Sequence, residues 1–566
     1  MSEHKYIGPA EDDYDSVLET LDEPHGVIAV DTETINVKNQ TIIGIGIAYG
    51  PHRLYVRTFP DVSPLVPYVM WKISRPDITK VYHNLFFDIR ALTQLAEEEG
   101  LNPPDETNLA DTSIMAKVSG YGAALDETSI ELLGYTNEFH IKELLLEAGR
   151  GATMLDVDFD KVAIKCLNDC YATINLYHTF KLTPAQEDCY EVDMRMAKLL
   201  LRMERRGLRL HQPLLLETRE RLKRETVRLK DLCAQEGFNP GSPQQVGYVL
   251  ASRGNILPFT KSRRSLRTDD ETLSELDDDL AQTVLDYRKA SKLLGTYVEP
   301  WVGADRAYTH FRMDLSTGRL ASFDRNLQNI PPEMRGVFLP DNEVFSWFDY
   351  SQIELRVVAN LSHDKALLDA FATGVSPHEV TRTNLWPAST RYNADGSDTE
   401  AYLKSKTFNF AMIYDAAVPT LAKRTKTTKE QAASLRWQWL NTYHGVADFM
   451  KKRQADDSPY AETLYGRRMR LPTIESLKRD TLQPKPDRAY QSHIDKTKIN
   501  YVVQGTAADI MKRAALLVEE AGSVDSRLQV HDEWLVDGYF VFPRELEFIC
   551  PEFHTPFAQY FGTSWK

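Results

Sequence analysis

Asp349 ends an apolar, strand-like run, VFSWFD (344–349), and Asp532 lies between two alternating runs in RLQVHDEWLVD (527–537). A carboxylate where a strand stops sits at a rim open to solvent and metal. The second pattern outlines a hairpin with Asp532 at its tip. Two such aspartates from distant sequence can hold two divalent ions, one activating an attacking oxygen and one clamping the leaving oxygen. Between them, KTFNFAMIYD (406–415) places Lys406, Phe410 and Tyr414 at i, i+4 and i+8, on one helix face. A cation for phosphates, a flat ring beneath a sugar and base, and a second ring at the far end make a nucleotide platform.

A second carboxylate set lies near the N-terminus. VIAVDTET puts Asp31 and Glu33 just past an apolar strand, and their i, i+2 spacing points both to one face. YHNLFFDIR adds Asp88, and AIKCLNDCYATINLY (163–177) adds Asp169 between Cys166 and Cys170. The two thiols are one helical turn apart, but no CxxC motif or neighbouring histidine pair completes a zinc site, so they read as helix packing. Five cysteines in 566 residues give no disulfide framework.

These groups need several supporting units, and 566 residues predict three or four domains. Residues 26–48 read as strands and the following stretch to about 180 as helices, an α/β pattern. KLTPAQED (181–188) is a linker candidate. Residues 189–300 are patterned as long helices, including a charge-rich, solvated one in LLLETRERLKRETVRLKDL. TKSRRSLRTDD (260–270) is a basic loop, and beyond residue 311 strands and helices mix. WPASTRYNADGSD (386–398) is loop-like. A net charge of −15 argues against a passive basic coat for nucleic acid, yet leaves room for a locally basic groove. The chain has no apolar run of membrane-spanning length and no signal-peptide core at its start, so a cytoplasmic location is expected.

DYSQIELR, KTFNFAMIYD and VHDE, in this order, resemble the three polymerase motifs of family A DNA polymerases, the bacterial DNA polymerase I group. GRLASFDRNLQNIP (318–331) is similar to that family's minor-groove segment and NYVVQGTAADIMKRA (500–514) to its palm helix. FNPGSPQQV, RTDDETL and LDYRKASKLLGTYVE are similar to its thumb. The resemblance spans roughly residues 190–566. It implies an α/β and α+β multidomain chain: an RNase H-like 3′→5′ exonuclease domain (1–187), then a right-hand polymerase. Its thumb would be 188–310, its palm 311–365 and 491–566, and its fingers 366–490.

By this resemblance Asp349 and Asp532, with the backbone carbonyl of Tyr350, would hold two Mg²⁺, and Glu533 would be an accessory carboxylate. Lys406 and His378 would meet the triphosphate of an incoming deoxynucleotide, with Phe410 and Tyr414 as its platform. Glu354 would be a steric gate that rejects a ribose 2′-OH by occlusion. Phe410, without a ring hydroxyl, implies poor acceptance of dideoxynucleotides. Arg319, Asn326, Gln328, Asn500, Gln504 and His531 match primer–template contacts, which suit the sequence-tolerant minor groove. Lys292 and KSRRSLR suit phosphate contacts. Asp31, Glu33, Asp88 and Asp169 match the four carboxylates of a proofreading exonuclease, with two further Mg²⁺.

Several positions depart from the family pattern. Tyr402 stands where the family has Arg, with Lys404 as the candidate substitute. The segment after NIP is short and lacks a phosphate-binding Arg, with Arg335 nearby, and Asp415 replaces a Gly. Lys165 stands where the nuclease carries Tyr one turn before its last Asp, and Ile164 stands where it carries His. A cation there implies reduced or altered proofreading. A single-subunit RNA polymerase-like enzyme, or a nuclease with a DNA-binding C-terminal part, are the alternatives; Glu354 and intact Asp349, Lys406 and Asp532 argue against them. No 5′-nuclease fits before residue 26, so flap removal is expected to fall to another protein. The compact two-activity plan resembles a bacteriophage replicative polymerase, hence a monomer in the host cytoplasm, with primer–template DNA, deoxynucleoside triphosphates and processivity or replisome proteins as partners.

Overall fold

The computed structural model describes residues 4–7, 26–50, 52–60, 62–260, 264–479, 485–522, 524–550 and 553–565. Part of the expected basic loop, residues 261–263, lies outside them. The N-terminal unit is built on a six-stranded sheet: β1 (His4–Ile7), β2 (Val27–Thr34), β3 (Ile42–Tyr49), β4 (His52–Arg57), β5 (Thr79–Tyr82) and β6 (Leu109–Asp111). The spatial order is β1-β4-β3-β2-β5-β6. β2 runs antiparallel to β3 and parallel to β5. Helix α1 (Leu85–Glu98) carries Asp88 and helix α2 (Phe159–Thr179) carries Asp169. α2 approaches β3 closely because the strand has glycine at position 46, where a Cβ would lie 2.6 Å from Cys166 Sγ. Cys166 and Cys170 are fully buried in that contact, so both thiols are packing groups, as the sequence indicated.

Helix α3 (Pro184–Arg206) begins inside the expected linker. Thr183 and Gln186 form a reciprocal capping box with Pro184 at the first helical position, a start signal that outweighs the loop-like composition. The charge-rich run forms α4 (Gln212–Gln235), in which only Leu215, Thr218, Leu222, Leu229 and Cys233 are buried. The C-terminal half centres on an antiparallel sheet in which β7 (Phe345–Tyr350) lies between β9 (Glu533–Asp537) and β10 (Phe557–Gly562), with β8 (Asp525–Val530) beyond β9. Helix α5 (Ile353–Ser362) leaves β7 through Gln352, in the left-handed region at φ 55°. Helix α6 (Glu400–Met412) carries Lys406 and Phe410 but stops before Tyr414, which lies in the following turn instead of on the expected helix face. The 34-residue helix α7 (Asp487–Glu520) packs on both α3 and α5. Among the described residues no helix is long and apolar enough to cross a membrane.

Two polar joints fix these parts. Arg90 of α1 donates to both carboxylate oxygens of Glu204 on α3, at 2.7 and 2.5 Å, and to the Phe311 carbonyl at 2.8 Å. Deeper, Arg467 donates to Asp193 of α3 at 2.7 and 2.9 Å and to Asp509 of α7 at 2.8 Å, while Lys512 donates to Asp193 at 2.8 Å. All four groups are buried. Burial alone would raise the Asp193 carboxyl, but the two cations hold it below its ordinary value. Arg467→Ala would leave two buried carboxylates facing one ammonium, and removing one partner from such a cluster costs about 3–5 kcal/mol. We expect a correspondingly lower unfolding midpoint in denaturant titrations; a midpoint equal to wild type would show that the cluster is not structurally required.

Candidate active sites

The C-terminal sheet brings Asp349 and Asp532 to one rim. Asp349 is next to last in β7, and Asp532 occupies the turn between β8 and β9, where His531 adopts φ 53°. A tight hairpin turn of this kind requires positive φ. The Tyr350 amide donates to the Asp532 carbonyl at 3.2 Å, tying the two segments together. The Tyr350 hydroxyl donates to the Leu546 carbonyl at 2.7 Å, anchoring its side chain in the interior. Loss of water pushes the Asp532 carboxyl up to about 7, with Glu354 and Asp349 adding to the rise and Arg319 opposing it. The same cause pushes Asp349 up to about 6, with Glu533 adding and Arg335 opposing. Converging oxygen ligands whose charges repel suit a hard divalent cation. Glu533 lies opposite Asp349 in the register but is already held, accepting from Arg335 at 3.0 Å and from the Trp565 indole. The Arg335 guanidinium stacks 4.2 Å from the Trp565 ring. The expected accessory carboxylate and the nearby arginine are thus committed to one another.

Beside this rim Glu354 accepts from Arg319 and from the Tyr414 hydroxyl, and Gln504 reaches the same hydroxyl at 3.4 Å. Four predicted residues therefore form one network. Phe410 is 41 % exposed, offering its ring to solvent, with the His378 ring 5.7 Å away. His378 is buried and hydrogen-bonded through Nδ1 to Asn409 at 3.0 Å. Burial and Lys406 hold it down at about 4, so it is neutral and packs beside Phe410. Lys406 Nζ pairs with Asp398 Oδ2 at 3.1 Å. Lys404 pairs with Glu400 at 2.9 Å, one turn back on its own helix, so the expected substitute cation is occupied there. Asp415 takes the left-handed conformation at φ 49°, with its carboxylate held by Arg436 at 2.6 Å and Gln454 at 3.0 Å.

A cavity of about 230 Å³ is lined by Arg319, Asn326, Gln328, Gln529, His531 and Asp532, which unites most of the predicted primer–template residues. Asn326 accepts from Ser322 at 2.8 Å and from the Asn329 amide at 3.2 Å, and Gln529 donates to the His531 carbonyl at 2.9 Å. The buried Asn500 Oδ1 has no partner among the described residues. Sequence reading missed Gln529, which lies on β8 two residues before His531 in the turn.

In the N-terminal unit, Asp31 and Glu33 on β2, Asp88 on α1 and Asp169 on α2 converge. Lys165 Nζ lies among them, 2.7 Å from Glu33 Oε1 and 2.7 Å from Asp169 Oδ2. Asn137, which carries no sequence signal, donates to the other Asp169 oxygen at 2.6 Å. Asp88 accepts from the Thr32 amide at 3.0 Å and hydroxyl at 2.7 Å, and burial pushes it up to about 8. Burial raises Asp31 and Glu33 as well, with Lys165 opposing. Asp31 Oδ2 is buried without a partner among the described residues, and Asp31, Glu33 and Cys166 each bring a possible metal-ligand atom within 4.8 Å of the others.

The Asp532 shift has a stability consequence. Its folded value of about 7 exceeds the ordinary value, about 3.9. Below pH ~4 both folded and unfolded states hold the proton. Stability is lost as pH rises towards 7, and the full cost stands above it. In chelator, Asp532→Asn should gain stability over wild type from pH 4 to pH 8, by about 2 kcal/mol, roughly half the full shift because the carboxyl keeps contact with solvent. Thermal scans showing a pH-independent difference would contradict this.

The family model for DNA polymerase family A matches residues 210–539. The chain is 28% identical to DNA polymerase I of Pseudomonas aeruginosa over 93% of its own length and 60% of that protein's. It is 29% identical to DNA polymerase I of Rhizobium leguminosarum over 81% of its length and 47% of the relative's. It therefore spans about half to three-fifths of these relatives. A solved structure, the POL domain of Pol1 from M. smegmatis in complex with DNA primer-template and dNTP, superposes with a TM-score of 0.73 at 21% identity, covering 100% of this chain and 99% of that one. That likeness establishes the shared mixed α/β architecture. With more than half its length matched by the family model, the chain belongs to DNA polymerase family A.

Proposed function

We propose that this chain is a template-dependent DNA polymerase that extends a primer 3′ end with deoxynucleoside triphosphates. The observation that carries this reading is the meeting of Asp349 and Asp532 at one rim, beside the Glu354–Tyr414 network and the exposed Phe410 ring. In this reading the antiparallel sheet with α5 and α7 is the palm (311–365 and 491–566), 366–490 the fingers and 188–310 the thumb. Asp349, Asp532 and the Tyr350 carbonyl would hold two Mg²⁺, which supply activation of the primer 3′-oxygen and charge neutralisation at the leaving pyrophosphate. Phe410 would seat the sugar and base, Lys406 would bind phosphate, and Glu354, braced by Arg319 and Tyr414, would occlude a 2′-OH. Neutral His378 supports the Phe410 ring. The 230 Å³ cavity would receive the minor-groove edge of the primer–template end.

We further infer that residues 1–187 are a 3′→5′ exonuclease-type domain with weak excision. Lys165 satisfies Glu33 and Asp169, so a divalent ion must compete with an ammonium already bonded to both. One experiment addresses both activities. Primer extension with deoxynucleotides should proceed in wild type and fall by a factor of about 10³ or more in Asp532→Ala; extension unaffected by that change would refute the polymerase site. On mispaired primer ends, Lys165→Tyr should raise excision about tenfold and Asp31→Ala in that background should abolish it. Vigorous wild-type excision that Asp31→Ala removes would show that Lys165 is no obstacle.

A further inference from the structure

Arg391 and Lys406 come from different elements yet face the same ring and the same carboxylate. The Arg391 guanidinium lies 4.7 Å from the Tyr402 ring centroid and Lys406 Nζ lies 4.9 Å from it. Asp398 Oδ2 pairs with Lys406 at 3.1 Å, while its Oδ1 is 3.9 Å from Arg391 Nε. The longer distance is an ionic contact and not a hydrogen bond, and Arg391 Nε has no hydrogen-bond partner among the described residues. Two cations held this close repel, and one carboxylate neutralises only one of them. The pair therefore carries surplus positive charge and an unfilled donor.

The arrangement is preorganised. Arg391 lies between two rings, with the Tyr392 centroid also at 4.7 Å. Its backbone carbonyl accepts from the Thr399 amide at 2.8 Å, and the Thr399 hydroxyl donates to the Thr390 carbonyl at 2.6 Å. Thr399 in turn caps α6, so the loop is tied to the start of the helix that carries Lys406. Lys406, Arg391 and Asp398 side chains are 41, 38 and 27 % exposed, within reach of a solute. Tyr402, Lys406 and Phe410 are spaced four residues apart, and one such step rises about 6 Å along a helix. Arg391, over Tyr402, thus extends the row by one step beyond Lys406, on the side away from Phe410. A nucleotide seated on Phe410 would carry its phosphates in that direction, towards the positive end of the helix dipole.

We propose that Arg391 is a second phosphate-gripping cation for the incoming nucleoside triphosphate, and that Asp398 is an internal anion which the outer phosphates displace. The proposal rests on the polymerase reading of the site. On binding, a phosphate oxygen replaces the Asp398 carboxylate on Lys406, and another meets the solvent-facing part of the Arg391 guanidinium. The loop carboxylate then acts as a built-in competitor that sets nucleotide affinity, and anions with fewer phosphates displace it less effectively.

The test is steady-state primer extension on a defined primer–template, with nucleotide concentration varied and inorganic pyrophosphate as a product inhibitor. Arg391→Ala should raise KM for the nucleotide about tenfold, with kcat changing less, and weaken pyrophosphate inhibition in parallel. Arg391→Lys should recover part of the loss. Asp398→Asn, which keeps the size of the loop residue, should lower KM about threefold. KM values within twofold of wild type for both Arg391→Ala and Asp398→Asn would overturn the proposal while leaving the polymerase reading intact. A wild-type chain that extends no primer would remove both.

Discussion

The buried cluster of Arg467, Asp193, Asp509 and Lys512 is the constraint on which the C-terminal half depends. Its members come from α3, from the hairpin near residue 467 and from α7, and they reach each other only when these segments are in one arrangement. A buried charge must find its partner, whereas an apolar contact tolerates sliding. α7 is the element that lines the 230 Å³ cavity through Ala507, Ala508, Met511 and Lys512 and that presents Gln504 to Tyr414. The position of this helix is thus inherited from an ion cluster, one member of which, Lys512, itself lines the cavity.

The two carboxylate sites handle their own repulsion differently. In the N-terminal unit the protein supplies an internal cation: Lys165 bonds two of the four carboxylates and Asn137 steadies the last of them. At the C-terminal rim Arg319 and Arg335 lie nearby but bond Glu354 and Glu533, leaving Asp349 and Asp532 with raised proton affinities and no bonded counter-ion among the described residues. The first site carries part of its own counter-charge, and the second does not. One chain thus holds a carboxylate cluster relieved by a bonded lysine beside a carboxylate pair left to repel.

Much of this was legible in the chain itself. Strand-end positions of Asp349 and Asp532, the DxE pair on β2 and the Lys406–Phe410 spacing each follow from local periodicity, which a single segment records. The residues that escaped are those set by tertiary contact. Trp565 meets Glu533 from the far end of the chain, Asp398 reaches Lys406 from a loop, and Asn137 reaches Asp169 from a segment with no pattern. Tyr414 looked continuous with the Lys406 face because an i+8 spacing assumes two further turns of helix; α6 ends at Met412 and the ring reaches Glu354 from a turn. The linker reading at 181–188 failed for the opposite reason. Pro184 reads as a loop residue by composition but is favoured at a helix start, and only the Thr183–Gln186 pairing tells the two apart.

The burial of the cysteines has a practical side. All five cysteines are buried and none is in a disulfide. Burial raises the proton affinity of Cys166, Cys170, Cys189 and Cys233, which keeps the nucleophilic thiolate scarce. Thiols buried in this way are expected to react slowly with maleimide-type reagents. A single cysteine introduced on an exposed position of α4 or of the loop at 391–398 would be a unique attachment point for a fluorophore, on a protein that needs no prior removal of its own thiols.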